Sequence, residues 1–276
     1  MSYQKKHKRT ITLNNGVEMP IVGLGVYNIK KGKRTQRVAL NALNLGYRLI
    51  DTAALYRNEQ DVGIAIRESG IPRNKIFVTT KLHPLRCFFV EAAFYKSMKK
   101  LGLDYIDLYL IHWPFFRKKE VWKTLENIYK RGHVRAIGVS NYSVGDLKEL
   151  MEITKIIPTI NQVEFHPFLY RKRVLDFCKS KNIVVEAHSP LTHGKRIDEE
   201  NITNIAKRYY KSNSQILLRW SLQHGNIVIP KAESYQHLKE NLDLFSFSIN
   251  KEDMKTLNSL NENYHAAFLS KFSKNY

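Results

Sequence analysis

The sequence predicts an α/β protein with one domain over residues 1–276, a (β/α)8 TIM barrel whose bottom is closed by an N-terminal β-hairpin. Apolar runs of strand length alternate with helical patterns eight times along the chain. Several of these runs are almost continuously apolar, as parallel strands buried on both faces are. The length of 276 residues suits such a barrel, which typically has about 250 residues, and no linker divides the chain.

The hairpin is predicted from residues 14–16, "NNG", which lie between the apolar-rich runs 9–13 and 17–22. Asn-Gly between two such runs is the strongest short hairpin signal. Residues 1–22 therefore form an N-terminal arm and hairpin, and residues 262–276 form a polar and aromatic C-terminal tail. The predicted barrel strands are 23–27, 47–53, 75–82, 105–113, 134–140, 159–165, 183–189 and 226–232. The predicted helices are 33–46, 59–69, 88–102, 119–131, 143–155, 171–181, 198–210, 214–224, 235–243 and 251–261.

A doubly wound sheet with a dinucleotide fingerprint is the second arrangement that eight alternating units allow. That fingerprint needs Gly-x-Gly-x-x-Gly between the first strand and the first helix. The segment "GLGVYN" has Asn28 at the third glycine position, and the sequence has no P-loop lysine motif. A bound nucleotide would therefore be held by other means.

Composition and charge restrict the location and the partners. The sequence has no apolar run of 18 residues and no apolar segment after its basic start, so we expect neither a membrane span nor a secretory signal. Two distant cysteines, Cys87 and Cys178, favour a reducing compartment, and we expect a cytoplasmic protein. The net charge of +20 comes from short, scattered basic runs. These are typical of solvated surface or of steering toward an anionic small molecule, and no specific nucleic acid is expected.

Polar residues stand at or near the ends of seven successive predicted strands. In a parallel barrel these ends meet around one opening, where the chemistry of such barrels takes place. The residues are Asp51, Lys81, His112, Trp113, Ser140, Asn141, Gln162, Glu164, His188, Ser189 and Lys231. A single strand-end His or Lys is usually a hydrogen-bonded rim residue, but the succession predicts a site at the barrel mouth.

The residue types indicate which chemistry the site supports. Tyr56 follows the second strand, and a free tyrosine has a pKa near 10, too high for an efficient acid at neutral pH. The ammonium of Lys81 would lower that pKa, and Asp51 is the carboxylate available to pair with the lysine. His112 could donate to a developing oxyanion. This set suits carbonyl reduction, which needs a hydride cofactor. Ser140, Asn141 and Gln162 are suited to holding a carboxamide.

From about residue 9 to 262, the chain resembles the aldo-keto reductases. The matching stretches are "GYRLIDTAALYRNEQDVGIAI", "IFVTTKL", "LGLDYIDLYLIHWP", "VRAIGVSNY", "INQVEFHP", "AHSPL" and "IVIPKA". The resemblance implies a (β/α)8 barrel, usually a monomer, that reduces aldehydes or ketones with NADPH and without a Rossmann domain.

The resemblance also implies roles for individual residues. Asp51, Tyr56, Lys81 and His112 would be the catalytic tetrad, with Tyr56 as the proton donor. Substrate would contact Tyr27, Tyr56, His112 and Trp113. The cofactor would contact Val26, Asp51, Ser140, Asn141, Gln162, His188, Ser189, Leu191, Lys231, Ala232, His237, Glu240 and Asn241, with Lys231 at the 2′-phosphate. No metal is implied.

Three departures from the family pattern affect these expectations. His188 stands where the family usually has a Tyr that stacks on nicotinamide, and an imidazole could make cofactor binding pH-dependent. Ala232 and His237 replace the Ser and Arg that usually clamp the 2′-phosphate, so use of NADH beside NADPH is left open. Tyr27 replaces a pocket Trp, and the loop "WPFFRKKEVW" is short, with Phe115 and Phe116 as candidate pocket residues.

Two other functions remain open from the sequence. One is a cofactor-binding sensor or regulatory subunit of the same fold, which the altered cofactor positions allow. The other is a metal-dependent barrel hydrolase with a metal held by His112, His166 and His188. Against the hydrolase, Lys81 would repel the metal. Glu164 and His166 are instead expected to be structural hydrogen-bonding residues.

Overall fold

The structure is a computed structural model that describes residues 9–114 and 117–267. Its strands are β1 (Thr10–Thr12), β2 (Glu18–Pro20), β3 (Leu24–Gly25), β4 (Leu49–Asp51), β5 (Phe77–Leu82), β6 (Ile106–Ile111), β7 (Val134–Ser140), β8 (Ile160–Glu164), β9 (Val184–His188) and β10 (Ile227–Val228). Its helices are α1 (Lys33–Leu45), α2 (Glu59–Glu68), α3 (Val90–Leu101), α4 (Lys118–Lys130), α5 (Val144–Ile153), α6 (Lys172–Ser180), α7 (Glu200–Tyr209), α8 (Asn213–Gln223), α9 (Tyr235–Glu240) and α10 (Lys251–Ser259).

Strands β3 to β10 form one parallel sheet in chain order, and the sheet closes on itself. A parallel bridge joins Val22 to Val228. The amide of Gly23 donates to the carbonyl of Val228 at 2.9 Å, and the amide of Gly25 donates to that of Pro230 at 3.2 Å. Gly25 is required here, because a Cβ at this position would lie 2.7 Å from the carbonyl oxygen of Ile229. The predicted (β/α)8 barrel is confirmed.

The hairpin forms at the predicted place and plugs the bottom of the barrel. Strands β1 and β2 pair antiparallel, with Ile11 opposite Met19. Gly16 takes the left-handed backbone of the turn, with φ 84°, a conformation that glycine adopts at little cost. Leu13 and Met19 are buried against inward-facing residues of the barrel strands, among them Leu108. Access to the barrel interior is therefore from the opposite end.

The helices form the outer layer and bury their apolar faces against the sheet. Ser143 and Ser212 begin α5 and α8 with capping boxes, in which the serine hydroxyl accepts the third amide of the helix. Large side chains such as Trp122 and Trp220 fill the space between helices and strands. The first and last barrel strands have two residues each and are shorter than predicted. The last strand ends close to Pro230, which has no amide hydrogen to donate to the ladder.

The C-terminal segment folds back over the mouth of the barrel. The amides of Glu262 and Tyr264 donate to the carbonyl of Phe168 at 3.3 and 2.9 Å, and the amide of Ala266 donates to Oε1 of Glu164 at 2.7 Å. Among the described residues, no helix has both the length and the hydrophobicity needed to cross a bilayer. The start of the predicted arm, the end of the predicted tail, and Phe115 and Phe116 lie outside the described residues.

Candidate functional site

A cavity of about 680 Å³ opens at the C-terminal ends of the barrel strands. Twelve of the residues predicted for a site there line it: Tyr27, Asp51, Tyr56, His112, Trp113, Ser140, Asn141, Gln162, His188, Ser189, Leu191 and Lys231. They come from the strands and from the loops that follow them, and are far apart in the sequence. The closed barrel brings them around one opening.

Lys81 lies beneath this cavity, with its side chain fully buried. Its ammonium donates to Oδ1 of Asp51 at 2.6 Å, to the carbonyl of Thr52 at 2.9 Å and to the hydroxyl of Tyr56 at 3.3 Å. An ammonium has three donors and no acceptor, so all three are used. The oxygen of Tyr56 therefore accepts from Lys81, and the hydroxyl proton of Tyr56 remains available to donate elsewhere.

The pKa of Tyr56 differs from the value expected from the sequence. Burial has the largest effect on the pKa of Lys81 and lowers it, but the charges of Asp51, Tyr56 and Glu186 and the hydrogen bond to Asp51 together leave that pKa raised. Burial raises the pKa of Tyr56 to about 12, although Lys81 acts to lower it. The predicted acidic Tyr56 is therefore wrong for the protein alone, because loss of solvent outweighs the ammonium. Tyr56 keeps its proton at neutral pH.

His112 contributes a neutral imidazole to the same wall. Its ring meets that of Tyr56 edge to face, with centroids 5.7 Å apart. Burial, and then the charge of Lys81, hold the pKa of His112 well below its usual value. No partner for the buried Nδ1 is found among the described residues. A proton on Nδ1 would be an unsatisfied buried donor, so the neutral ring is best protonated on Nε2.

A chain of hydrogen bonds crosses one side of the cavity. Nδ2 of Asn141 donates to the carbonyl of His112 at 3.2 Å and to Oγ of Ser140 at 3.0 Å. Oδ1 of Asn141 lies 3.2 Å from Nε2 of His188, whose Nδ1 lies 3.1 Å from Oγ of Ser189. Because an amide oxygen only accepts, His188 donates through Nε2 and accepts from Ser189. These contacts set the tautomer and the orientation of His188.

His188 is not the titrating group that the sequence suggested. Burial lowers the pKa of His188 to about 3, so the ring is neutral at physiological pH. The lowered pKa gives no charge-based pH dependence at His188 near neutral pH. Ser189 has a left-handed backbone with φ 50°, and its hydroxyl also lies 3.0 Å from Nε2 of His193.

Gln162 connects two buried acids below the cavity. Its Nε2 donates to Oδ2 of Asp51 at 2.9 Å and to Oε2 of Glu186 at 2.7 Å. Glu186 lies beside Gln162 on β9 and is completely buried. Sequence reasoning missed this acid, because the strand "IVVEAHS" does not reveal which of its side chains point into the barrel.

Lys231 at the cavity edge is already paired. Its Nζ lies 2.6 Å from Oε1 of Glu233, and Nε of Arg34 lies 2.5 Å from Oε2 of the same carboxylate. Glu233 therefore reduces the positive charge that Lys231 would offer to an anion. His237 is exposed and lies in the first turn of α9, where its amide donates to Oγ of Ser234.

Six predicted site residues do not line the cavity: Val26, Lys81, Ala232, His237, Glu240 and Asn241. Lys81 acts from below, as described. The amide of Val26 donates to the carbonyl of Asp51 at 3.0 Å. Glu240 accepts from the hydroxyl of Ser212, and Asn241 is buried.

Eight residues that line the cavity were not predicted from the sequence: Gly25, Asn28, Leu55, Pro190, His193, Ile229, Ala266 and Ala267. Gly25 and Ile229 lie inside predicted strands, and Asn28, Leu55, Pro190 and His193 follow predicted strand ends, whereas the two alanines carry no sequence signal.

The histidines of the hydrolase alternative do not converge. His112 and His188 line the cavity, whereas His166 does not. Nε2 of His166 lies 3.1 Å from Oε1 of Glu164, and both side chains are fully buried. The two are structural hydrogen-bonding partners, as expected. Within the described ranges, no group of three or more His, Cys, Asp or Glu residues could hold a metal ion.

Comparison with known proteins gives a consistent answer. A model of the aldo/keto reductase family matches residues 22–262. The chain is 47% identical over 258 residues to glyoxal reductase of Bacillus subtilis (strain 168), which covers 92% of this chain and 94% of that protein.

Solved structures that are similar to this chain are also aldo-keto reductases. An aldo-keto reductase from a Medee basin deep-sea metagenome library is 42% identical with a TM-score of 0.90, over 92% of this chain and 96% of the other. The Bombyx mori aldo-keto reductase, solved in complex with NADP, is 34% identical with a TM-score of 0.89, over 96% of each chain. This chain therefore belongs to the aldo-keto reductase family of oxidoreductases.

Proposed function

We propose that the protein reduces aldehyde and ketone carbonyls to alcohols with NADPH, and that Tyr56 donates the proton. One observation carries the proposal. The oxygen of Tyr56 accepts a hydrogen bond from an ammonium whose other two donors are used by Asp51 and Thr52. The phenol proton is therefore free to be donated into the cavity that Tyr56 lines.

The electrostatics suit a proton donor. With a pKa raised to about 12 by burial, Tyr56 is protonated before reaction. Transfer of the proton leaves a phenolate 3.3 Å from Nζ of Lys81, and that ammonium stabilises the new charge. Asp51 keeps Lys81 charged in a buried place where an unpaired ammonium would be costly.

His112 supplies the second polar group at the reacting oxygen. Its neutral ring, protonated on Nε2, donates a hydrogen bond to the substrate carbonyl, and its edge-to-face contact with Tyr56 keeps the two groups side by side. Two donors on one carbonyl oxygen stabilise the negative charge that develops there. Tyr27 and Trp113 line the same cavity and contact the rest of the substrate.

The residues present fit a nicotinamide cofactor. NADPH supplies the hydride when bound. Ser140 and Gln162 line the cavity, and both amide hydrogens of Gln162 are used below it, so its oxygen remains for a carboxamide. Asn141 and His188 line the cavity beside Ser140 and Gln162. Further cofactor contacts are proposed for Val26, Asp51, Ser189, Leu191, Lys231, Ala232, His237, Glu240 and Asn241. Because Lys231 shares its charge with Glu233, NADH is an alternative donor.

The substrate class is proposed from the relative. Glyoxal reductase of Bacillus subtilis shares 47% of aligned residues with this chain, and we propose small reactive dicarbonyls of the glyoxal type as substrates. The described lining of the cavity has small residues, Ala266 and Ala267, on the tail side. These small side chains leave space for a substrate on that side of the cavity.

The test is NADPH oxidation with glyoxal and with an aromatic aldehyde. Tyr56→Phe is expected to lower the rate by about 10²- to 10⁴-fold, the usual contribution of a positioned acid, while NADPH binding by fluorescence quenching is retained. Tyr210→Phe is the matched control, since Tyr210 is 95% exposed. NADPH binding without turnover in the wild type would favour the sensor alternative. An unaffected Tyr56→Phe rate would exclude Tyr56 as the donor.

A further inference from the structure

Glu186 is a buried acid that the proposed reaction does not use. It lies on β9 with no exposed surface. Its Oε2 accepts from Nε2 of Gln162 at 2.7 Å. In the part of the chain that the structure describes, its Oε1 has no hydrogen-bond partner. Burying an acid with an unpaired oxygen costs free energy. Glu186 is therefore expected to have a role beyond packing.

The geometry of Gln162 supplies that reason. A side-chain amide nitrogen carries two hydrogens. One is donated to Oδ2 of Asp51 at 2.9 Å and the other to Glu186. Both acceptors are carboxyl oxygens, so the amide cannot turn over without facing an oxygen toward an oxygen. Gln162 lines the cavity, and the only hydrogen-bonding atom it has left is its carbonyl oxygen.

We propose that Glu186 is a positioning residue that holds the amide of Gln162 with its carbonyl oxygen toward the cavity, so that this position selects a ligand N–H group. The inference rests on the proposed function, in which that group is the carboxamide NH₂ of the nicotinamide. Without Glu186, one hydrogen of Gln162 loses its acceptor. Only Asp51 then holds the amide, and the released hydrogen can turn toward the cavity, where it would face the NH₂ unfavourably.

The surrounding charges favour a protonated Glu186 at neutral pH. Asp51 approaches from β4, Lys81 from β5 and Gln162 from β8, while Ile227, its neighbour on β10, is apolar. Burial, and then the charge of Asp51, raise the pKa of Glu186 to about 8. A protonated acid still offers Oε2 to Gln162. It also leaves the buried group of Asp51, Lys81 and Glu186 without net charge.

The first experiment compares wild type, Glu186→Gln and Glu186→Met by fluorescence titration with NADPH and with adenosine 2′,5′-bisphosphate, which lacks the nicotinamide. Glu186→Gln keeps an acceptor oxygen and should bind NADPH like the wild type. Glu186→Met removes the acceptor and should weaken NADPH binding about tenfold, the effect of one lost buried hydrogen bond, with no change for the bisphosphate. Equal NADPH affinity in Glu186→Met and wild type would overturn the inference, and so would an equal loss for both ligands.

The second experiment does not depend on Glu186→Met folding. It compares the binding of NADPH with that of its reduced 3-acetylpyridine analogue, which has a methyl group in place of the carboxamide NH₂. The wild type should bind NADPH about tenfold more tightly than the analogue, because the carbonyl oxygen of Gln162 accepts from an N–H group and not from a methyl group, and Glu186→Gln should keep this preference. Equal affinity of the wild type for the two ligands would overturn the inference. A wild type that binds neither nucleotide would instead overturn the proposed function.

Discussion

Nζ of Lys81 lies 2.6 Å from Oδ1 of Asp51, and both side chains are almost completely removed from solvent. The two residues come from neighbouring strands, β4 and β5, which pair in register from Leu49 opposite Phe77 to Asp51 opposite Thr79. A buried ion pair is stable only if both charges are present and their other hydrogen bonds are made. Here the remaining donors of Lys81 and the second oxygen of Asp51 all have partners.

Lys81→Met is expected to lower the free energy of unfolding by about 3–5 kcal/mol, because it leaves the Asp51 carboxylate buried without its counter-charge. Urea denaturation measures the change. The double variant Lys81→Met, Asp51→Asn should be more stable than Lys81→Met alone, since it removes the uncompensated charge. If Lys81→Met were as stable as the wild type, the pair would not be ionic. Both variants should fail to reduce aldehydes.

His188 should make the protein less stable in mild acid. Its folded pKa is lowered to about 3 by burial, whereas an unfolded histidine titrates near 6.5. Below pH 6.5 the unfolded state therefore binds a proton that the folded state does not, and stability falls as the pH falls. Between pH 7 and 5 the loss from this residue is at most about 2 kcal/mol. The difference between wild type and His188→Tyr in thermal melts across this range isolates it.

The same residue should not make NADPH affinity pH-dependent. Its ring stays neutral from pH 6 to 8, so any pH dependence of NADPH binding in this range should persist unchanged in His188→Tyr. A dependence that disappears in that variant would contradict the lowered pKa.

Glu233→Gln should tighten NADPH binding and leave NADH binding unchanged. Glu233 holds Lys231 and Arg34 through its two oxygens, so the neutral variant frees both cations for a 2′-phosphate. We expect about a tenfold gain for NADPH, or about 1.4 kcal/mol, measured by fluorescence titration. The matched control is Glu252→Gln, in an exposed part of α10. A parallel gain for NADH would show that Glu233 acts on something other than the 2′-phosphate.

Glu164→Ala should loosen the tail that lines the cavity. Oε1 of Glu164 accepts the amides of Ala266 at 2.7 Å and Ala267 at 3.1 Å. Losing these bonds should raise KM for carbonyl substrates about fivefold, as expected for modest loss of buried hydrogen bonds, with the NADPH dissociation constant little changed. Glu164→Gln keeps an oxygen for the amides and should restore KM. If neither variant changed KM, the tail would have no part in substrate binding.

Much of the fold was predictable, because it depends on local patterns. Near-continuous apolar runs, as in "YIDLYLIHW", mark strands that are buried on both faces. Glycine in the turn "NNG" fixes the hairpin, since φ at Gly16 is 84°. The polar residues that end successive strands follow from the same alternation, and closure of the barrel brings them together.

The rest depends on long-range geometry that no local pattern contains. Gln162 reaches Asp51 across 111 residues of sequence, and only the barrel shows that its amide lies between two acids. The net pKa of Tyr56 depends on how far burial outweighs Lys81, and the sequence shows the ammonium but not the loss of water. Ala266 is an alanine in an irregular tail. Its position at the cavity follows from its bond to Glu164 and from the bonds of Glu262 and Tyr264 to Phe168.

The pairing of the first barrel strand with the last has a consequence for biosynthesis. The amide of Gly25 cannot form its hydrogen bond until the carbonyl of Pro230, about 200 residues later in the chain, has been synthesised. Until that segment leaves the ribosome, β3 remains an open edge, and such edges can pair with other chains. A contact of such high sequence separation also forms late. Nascent chains halted while residue 230 is still inside the ribosome should therefore depend on chaperones more strongly than those halted after residue 230 has emerged.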